Sequence, residues 1–351
     1  MFHQSLKASF RTKQHLKPKA NSLIGYMCSI LSSHENINRV SFGDSLWRNV
    51  VMPSITHGGA VWLCTTNECI SMLKSFQYSV ARAVLKVKCT PAMVATLGEL
   101  GWLPLNNILD KQKVKYYHHL KYNLPNFRLC KQVLQDMENS FEEGRRSTWP
   151  FIENISKILT DVGLDDVNHR DNGNWLHVFP KFQIREFVNG FFKEVDTKSS
   201  LRHYKYLKST TFGERYLFQV NDFNGMRLKF MARTGCLGLE ETLHKWNKSD
   251  GLCKLCKDGR ENIIHFLFTC PHFLDLRIKI WHKLEESLIG FGHNEEWYNF
   301  ISSSLRTKFM LFMGNAETYE NTEVEDIFDG ACRQYLKEAW HMRDAALNDT
   351  G

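Results

Sequence analysis

The sequence predicts a mainly α-helical chain that carries one small Cys/His module. Three features support that expectation. Apolar residues return at helical spacing over long stretches: Ile70, Leu73, Phe76, Val80, Val84 and Val87 share one stripe, and Val324, Ile327, Phe328, Ala331, Tyr335 and Trp340 form another. Thr65 followed by Glu68 has the pattern of a capping box, in which a hydroxyl and a carboxylate each satisfy an orphan N–H at a helix start. Cys253, Cys256, His265 and Cys270 stand at spacings that let four side chains reach one ion.

Taken in order, residues 1–40 read as a basic arm running into a helix around Ser22–Ser32. Residues 43–63 are apolar and hold Pro53, which lacks a helix donor, so two short helices broken near it are expected. The capped helix after Thr65 turns its apolar stripe to a core and places Gln77, Arg82 and Lys86 on its surface. Pro91 marks a break, and Gly98 to Pro104 reads as a tight turn around a buried Trp102. A basic helix follows from Leu105 to Tyr122, with short helices at 127–138, 152–160 and 181–194. The polar run Leu164–Trp175 reads as a loop near a domain boundary. Helical spacing resumes over 212–235, and Val324 to Ala346 forms a last helix. Adjacent His118 and His119 point about 100° apart on a helix, which suits packing better than a second metal site.

The 351 residues are 43% hydrophobic and 13% aromatic, enough to bury real cores. No run approaches the roughly 20 apolar residues that cross a bilayer, and the N-terminus has no signal-peptide core. The expectation is an intracellular protein, in the nucleus or cytoplasm, with no membrane partner. Its ten cysteines should then be thiols or metal ligands. Seven are scattered, and each of those reads as a small buried hydrophobe: Cys28, Cys64, Cys69, Cys89, Cys130, Cys236 and Cys332. The formal charge is +7, and its distribution is uneven. Ten Lys/Arg face Glu99 and Asp110 between Lys74 and Lys131, and seven face Glu214 and Asp222 between Leu201 and Arg233. The acids gather late, at Glu317, Glu320, Glu323, Glu325, Asp326 and Asp329. The first two-thirds of the chain is therefore expected to present a positive face suited to nucleic acid.

In the Cys/His module, Cys253-x2-Cys256 can turn both thiolates onto one ion, and Asp258-Gly259 lets the chain double back. Residues Asn262–Thr269 are apolar enough for a short helix with His265 near its start and Cys270 just past its end. Five residues place two side chains about 140° apart on an α-helix, so the last turn must loosen before Cys270. His272 is an alternative fourth ligand in place of His265. Four protein ligands leave no position for water, so the expected cofactor is one structural Zn2+ without hydrolytic chemistry. No nucleophile–base pair, phosphate loop or small-molecule site stands out, and the flanks of Asp165-Asp166 are those of a loop. No catalytic residue is assigned. Basic neighbours that could grip phosphates are Arg227, Lys229, Arg233, Lys245, Lys254, Lys257, Arg260 and Arg277, with Trp246 and Phe266 as stacking faces.

The residues around this module resemble a known family. Phe223, Arg227, Lys229, Phe230, Arg233 and Gly235, then Gly238, the four metal-ligating positions with Glu261, Phe266 and Leu267, then Pro271 and Arg277, are similar to the zinc-binding C-terminal region of non-LTR (LINE-type) retrotransposon reverse transcriptases. Leu46 to Trp62, with Pro53 and Gly58, resembles the helical thumb that follows the polymerase palm in that family, and Leu97 to Leu105 continues it. The likeness covers residues 40–280 well. The family's palm, with its paired aspartates, would lie upstream, and only about 40 residues precede the thumb-like segment. The resemblance thus implies a basic arm (1–40), a thumb-like region (41–135), a helical linker (136–211), a CCHC zinc region (212–285) and a helical tail (286–351). It implies zinc-dependent binding of RNA or DNA without polymerase activity, with the remainder of a retrotransposon polyprotein as a further partner. The alternative is a zinc-stapled structural or protein-interaction module that binds no nucleic acid.

Overall fold

A computed structural model describes residues 5–33, 38–62, 67–144, 150–164, 174–218, 222–314 and 321–348 of the chain. Cys64, Thr65, Asp165, Asp166, Glu317 and Glu320 lie outside these residues, as do the side chains of Lys7, Arg11 and Lys13. The described residues are mainly α-helical and contain no strand, only an isolated antiparallel bridge between Leu252 and Arg260. The chain forms two compact units. One comprises Met1–Glu35, Phe42–Val84 and Trp102–Phe191, the other Asn36–Ser41, Leu85–Gly101 and Phe192–Gly351. These units interleave along the chain.

In the first unit, the opening helix runs from Ser5 to Ser33, well beyond the expected Ser22–Ser32, and buries Leu16, Ala20, Met27 and Leu31. Pro53 does not break the chain as expected. Helix Arg39–Leu46 passes through a π-turn, Trp47–Val51, directly into Met52–Thr56. The Met52 N–H donates to the Trp47 carbonyl, five residues back, and Pro53 falls in the first turn of the next segment, where a missing N–H costs little. Trp47 stacks on Trp102 with centroids 4.5 Å apart, and the Trp102 indole N–H donates to Asp44 at 2.7 Å. The helix Asn67–Leu85 buries Leu73, Phe76, Val80 and Val84, as its stripe predicts.

Gln77 differs from expectation. It is buried, not on the surface. Its amide donates to the Leu103 carbonyl at 2.8 Å and accepts from the Leu105 N–H at 3.0 Å. One side chain therefore satisfies both a free C=O and the free N–H at the start of helix Leu105–His118, which the sequence pattern could not register. That helix, with Leu129–Glu142 and Pro150–Asp161, closes a core around Val114, Tyr117, Leu134, Ile155, Leu159 and Trp175. His118 packs edge-on against Trp175, in keeping with a packing role for that histidine, while His119 is exposed.

The second unit has its core where helices Leu274–Gly290, Asn294–Ser302, Leu305–Met313 and Thr322–Asn348 meet Phe223–Arg233. Phe266, Phe273, Phe300, Phe312, Phe328 and Tyr335 fill it, mostly edge to face. Through this apolar mass runs a lattice of buried charge. Arg233 pairs with Glu99 at 3.1 Å and Glu214 at 2.9 Å, and Lys229 pairs with Asp329 at 2.7 Å. Nearer the surface, Arg215 reaches Asp326 at 2.8 Å, and Asp222 receives Arg333 and Lys337 at 3.2 and 2.9 Å. Two basic residues of 201–233, Arg215 and Lys229, thus meet late acids that lie far from them in sequence. Lys208, Lys229 and Arg233 of this stretch are buried in such pairs and add nothing to a positive surface.

Candidate metal centre

The Cys/His module lies wholly in the second unit. Asp250 opens its loop by accepting the Leu252 N–H at 2.9 Å. The chain then turns tightly: the Cys253 N–H donates to Gly259 O at 3.0 Å, and the Lys257 N–H to Cys253 O at 2.8 Å. Lys257 and Gly259 both have positive φ, 57° and 88°. Glycine takes that conformation freely; lysine takes it at some cost, which the closed turn imposes. This knuckle brings Cys253 and Cys256 to one side.

The second pair comes from the turn after Asn262, whose side chain accepts the His265 N–H at 2.9 Å and caps it. Residues His265–Thr269 form a π-turn, and the Cys270 N–H donates to the His265 carbonyl, five residues back, at 2.8 Å. An i→i+5 closure is the loosening that five-residue spacing requires. Pro271 then starts a short 3-10 turn that leads into helix Leu274–Gly290.

The four ligand atoms, three Sγ and one imidazole nitrogen, all lie within 4.8 Å of one another. Cys253 Sγ and Cys270 Sγ are 3.9 Å apart, and Cys256 Sγ lies 3.4 Å from His265 Nε2. Bonds of about 2.3 Å to sulfur and about 2.05 Å to nitrogen in a tetrahedron put sulfurs about 3.8 Å apart and sulfur and nitrogen about 3.6 Å apart. The arrangement can hold a metal ion. His265 Nδ1 lies 3.3 Å from Thr269 Oγ1, which fixes the ring and leaves Nε2 to face the sulfurs. His272 is exposed, packs on Phe273 and has no place in the cluster.

The protonation chemistry agrees with this geometry. Burial pushes the Cys270 thiol up to about 12 and raises Cys253, while burial also lowers His265. With no cation present the Cys253 and Cys270 thiols hold their protons. An ion that binds must displace them, so occupancy is coupled to pH. The neutral imidazole is already in its ligating form.

Two further groups hold the loop without touching the ion position, and the sequence did not single out the pairing between them. Glu261 is buried and receives Arg343 through two contacts of 2.7 Å, and it also accepts the Glu240 N–H at 2.8 Å. The Tyr335 hydroxyl donates to the Phe266 carbonyl at 2.7 Å. Both Tyr335 and Arg343 belong to the last helix, Thr322–Asn348, so that helix braces the ligand turn. The contact joins residues 82 positions apart, which no local pattern signals.

The structure divides the eight basic candidates. Lys245, Lys254, Lys257 and Arg260 are exposed, on the knuckle and the turn before it, with Trp246 beside them at 49% exposure. Lys254 leans onto Glu240 at 3.3 Å. Arg227 is half-buried. Lys229, Arg233 and Arg277 are corrections: they are 2%, 1% and 4% exposed. Lys229 and Arg233 are consumed by the charge lattice, and Arg277 lies beside the Tyr335 hydroxyl. Phe266 is fully buried among Phe273, Tyr335 and Trp340 and offers no stacking face. No helix among the described residues is long and apolar enough to cross a membrane. Compared with protein-family models, curated proteins and solved structures, the chain matches none.

Proposed function

We propose that Cys253, Cys256, His265 and Cys270 hold one structural Zn2+, and that the knuckle so tied binds nucleic acid through Lys245, Lys254, Lys257 and Arg260, with Trp246 as a stacking face. The observation that carries this reading is the convergence of three sulfurs and one imidazole nitrogen within 4.8 Å, with one sulfur–sulfur and one sulfur–nitrogen separation, 3.9 and 3.4 Å, close to those of a tetrahedral site. Soft thiolates with one imidazole select zinc over hard cations, and four protein ligands leave no position for reacting water. Lys245, Lys257 and Arg260 have no carboxylate within ion-pair distance among the described residues, so their charge is available to phosphate. The order of motifs supports an origin in the C-terminal region of a non-LTR reverse transcriptase, acting inside the cell as a binding protein without polymerase activity.

Metal analysis of the purified chain should return one zinc per molecule. Filter binding to single-stranded RNA and to duplex DNA at two salt concentrations tests the rest. Three or four phosphate contacts give a slope of log affinity on log salt of about −2 to −3 for a single strand. Affinity that does not fall with salt would refute phosphate contact, and chelation that leaves binding intact would refute zinc dependence.

A second reading has its own support. Cys253 and Cys270 are buried in the core shared with the last helix, and three of the eight basic candidates are spent inside the fold. A zinc staple that holds a protein-interaction surface and binds no nucleic acid would have that arrangement. Full zinc occupancy with no retention of either nucleic acid would decide for it.

A further inference from the structure

Away from the metal-ligating cluster, two cysteines that each read in sequence as an isolated small hydrophobe meet in the second unit. Cys89 Sγ and Cys236 Sγ are 3.1 Å apart, although 147 positions separate them. Two sulfurs in ordinary contact stand further apart than this, and a disulfide needs about 2.05 Å. Closing the remaining gap of about 1 Å requires one of the two to move. Cys89 can do so, because it lies in the non-helical stretch between the helices Asn67–Leu85 and Met93–Leu100.

Cys236 is held by several contacts. It follows the helix Phe223–Arg233, and its N–H donates to the Met231 carbonyl at 2.9 Å. Gly235 before it has φ +67°, and a Cβ there would meet Ser200 O at 2.4 Å. Thr234 Oγ1 sits 3.3 Å from the Cys236 sulfur. The pair also has access. Cys236 lines a groove of about 470 Å³, together with Thr90, Pro91, Ala92 and Gly235, and Cys89 is only partly buried. A peroxide molecule fits such a groove easily.

We propose that Cys89 and Cys236 form a redox-modifiable dithiol, converted to a disulfide by a small hydroperoxide such as hydrogen peroxide. Cys89, the more accessible sulfur, attacks the peroxide as its thiolate. An S–O bond forms, the O–O bond breaks, and the departing hydroxide takes up a proton to become water. The Cys236 thiolate then displaces hydroxide from the Cys89 sulfenic acid. The S–S bond forms, the S–O bond breaks, and the second hydroxide leaves as water with the Cys236 proton. The two sulfurs together lose two electrons and the peroxide gains them. The cross-link pins the segment before helix Met93–Leu100 to the turn after helix Phe223–Arg233.

The test uses the full chain, folded and supplied with zinc, treated with hydrogen peroxide, alkylated, digested and mapped by mass spectrometry without reductant. The expected product is a Cys89 peptide joined to a Cys236 peptide, lighter by two hydrogen atoms than the two together and separated by dithiothreitol. In Cys236→Ser the joined peptide is absent, and Cys89 accumulates sulfenic acid trapped by dimedone. If that variant does not fold, the map of the unaltered chain still decides. Cys89 and Cys236 both remaining alkylatable while the exposed Cys28 and Cys130 oxidise would overturn the proposal. So would their oxidation separately, or their linkage only to other cysteines. The outcome is independent of whether the chain binds zinc or nucleic acid.

Discussion

Replacing Arg233 by methionine tests whether the buried charge lattice is a folding element. The guanidinium pairs with Glu99 at 3.1 Å and Glu214 at 2.9 Å. It also donates to the carbonyls of Met313 at 2.8 Å, Leu207 at 3.3 Å and Gly314. Methionine fills much of the same volume, so the cavity contribution is small and the loss is electrostatic. Glu214 keeps Lys208 at 2.6 Å. Glu99, whose side chain is fully buried, keeps no cation within ion-pair distance among the described residues and retains the Tyr216 hydroxyl at 2.5 Å. Removing one partner of a buried pair costs about 3–5 kcal/mol, because the other charge is left uncompensated. A domain has about 5–15 kcal/mol in total. With a urea slope of about 2 kcal/mol per molar, the midpoint of the second unit should fall by roughly 1.5–2.5 M. Urea titrations followed by circular dichroism and tryptophan fluorescence measure it. Adding Glu99→Gln should recover more than half of the loss. A midpoint shift under about 0.5 M for Arg233→Met, or no recovery in the double variant, would refute a charged Glu99 held by Arg233.

Three further outcomes are expected. Cys270→Ser should abolish stoichiometric zinc as measured by elemental analysis, whereas Cys130→Ser, outside the cluster, should leave it at wild-type level. Lys257→Ala with Arg260→Ala should reduce the salt slope of RNA binding by about 1.4 with an unchanged urea midpoint; an unchanged slope would move the contact face elsewhere. Acid should destabilise the second unit through Asp329: burial alone would raise its carboxyl, but Lys229 and Arg333 outweigh burial and hold it below the ordinary 3.8. A carboxylate whose folded value is depressed stabilises the fold above its unfolded value and loses that contribution as pH falls through the depressed one. Asp329→Asn should therefore lower the urea midpoint at pH 7 and flatten its decline below about pH 4; an equally steep decline would exclude Asp329 as a source of acid sensitivity.

The Cys/His cluster was the most legible part of the sequence, because its four residues lie within eighteen positions and local turns bring them near one another. Helix periodicity exposed the stripe from Leu73 to Val84 and most of the last helix for the same reason. What periodicity missed were polar residues spent on distant partners. Gln77 reads as a surface residue because it is polar, yet at about 100° per residue it falls between Val84 and Ile70 on the apolar stripe, and it is buried there because it clamps the backbone at Leu103 and Leu105. Lys229 and Arg233 read as phosphate contacts because their acids, Asp329 and Glu99, are 100 and 134 positions away. Pro53 misled in another way: its missing donor is absorbed by a π-turn, which leaves no mark in residue type. Charge counted along a chain is not charge on a surface.

The same distinction bears on how the ligand turn is held. Glu261 precedes the capping residue Asn262 and binds Arg343, which also reaches Glu240 at 3.2 Å. Neither touches an ion, so a purely local view of the cluster would predict no effect from altering Arg343. The contacts imply otherwise. Without the guanidinium, Glu261 becomes a buried and unpaired carboxylate next to the turn that supplies His265, and the turn relaxes toward solvent to hydrate it. Groups that orient ligands from behind typically cost about 10–100-fold in metal affinity when removed. Arg343→Met should lose zinc to a competing chelator at a free-zinc level about 10–100 times higher than the unaltered chain, while Lys279→Met, which breaks an exposed pair between helix Leu274–Gly290 and Glu338 of the last helix, should not. Equal zinc retention by the two variants would mean that the knuckle and its π-turn assemble by local sequence alone, and that the last helix merely packs against a site already formed.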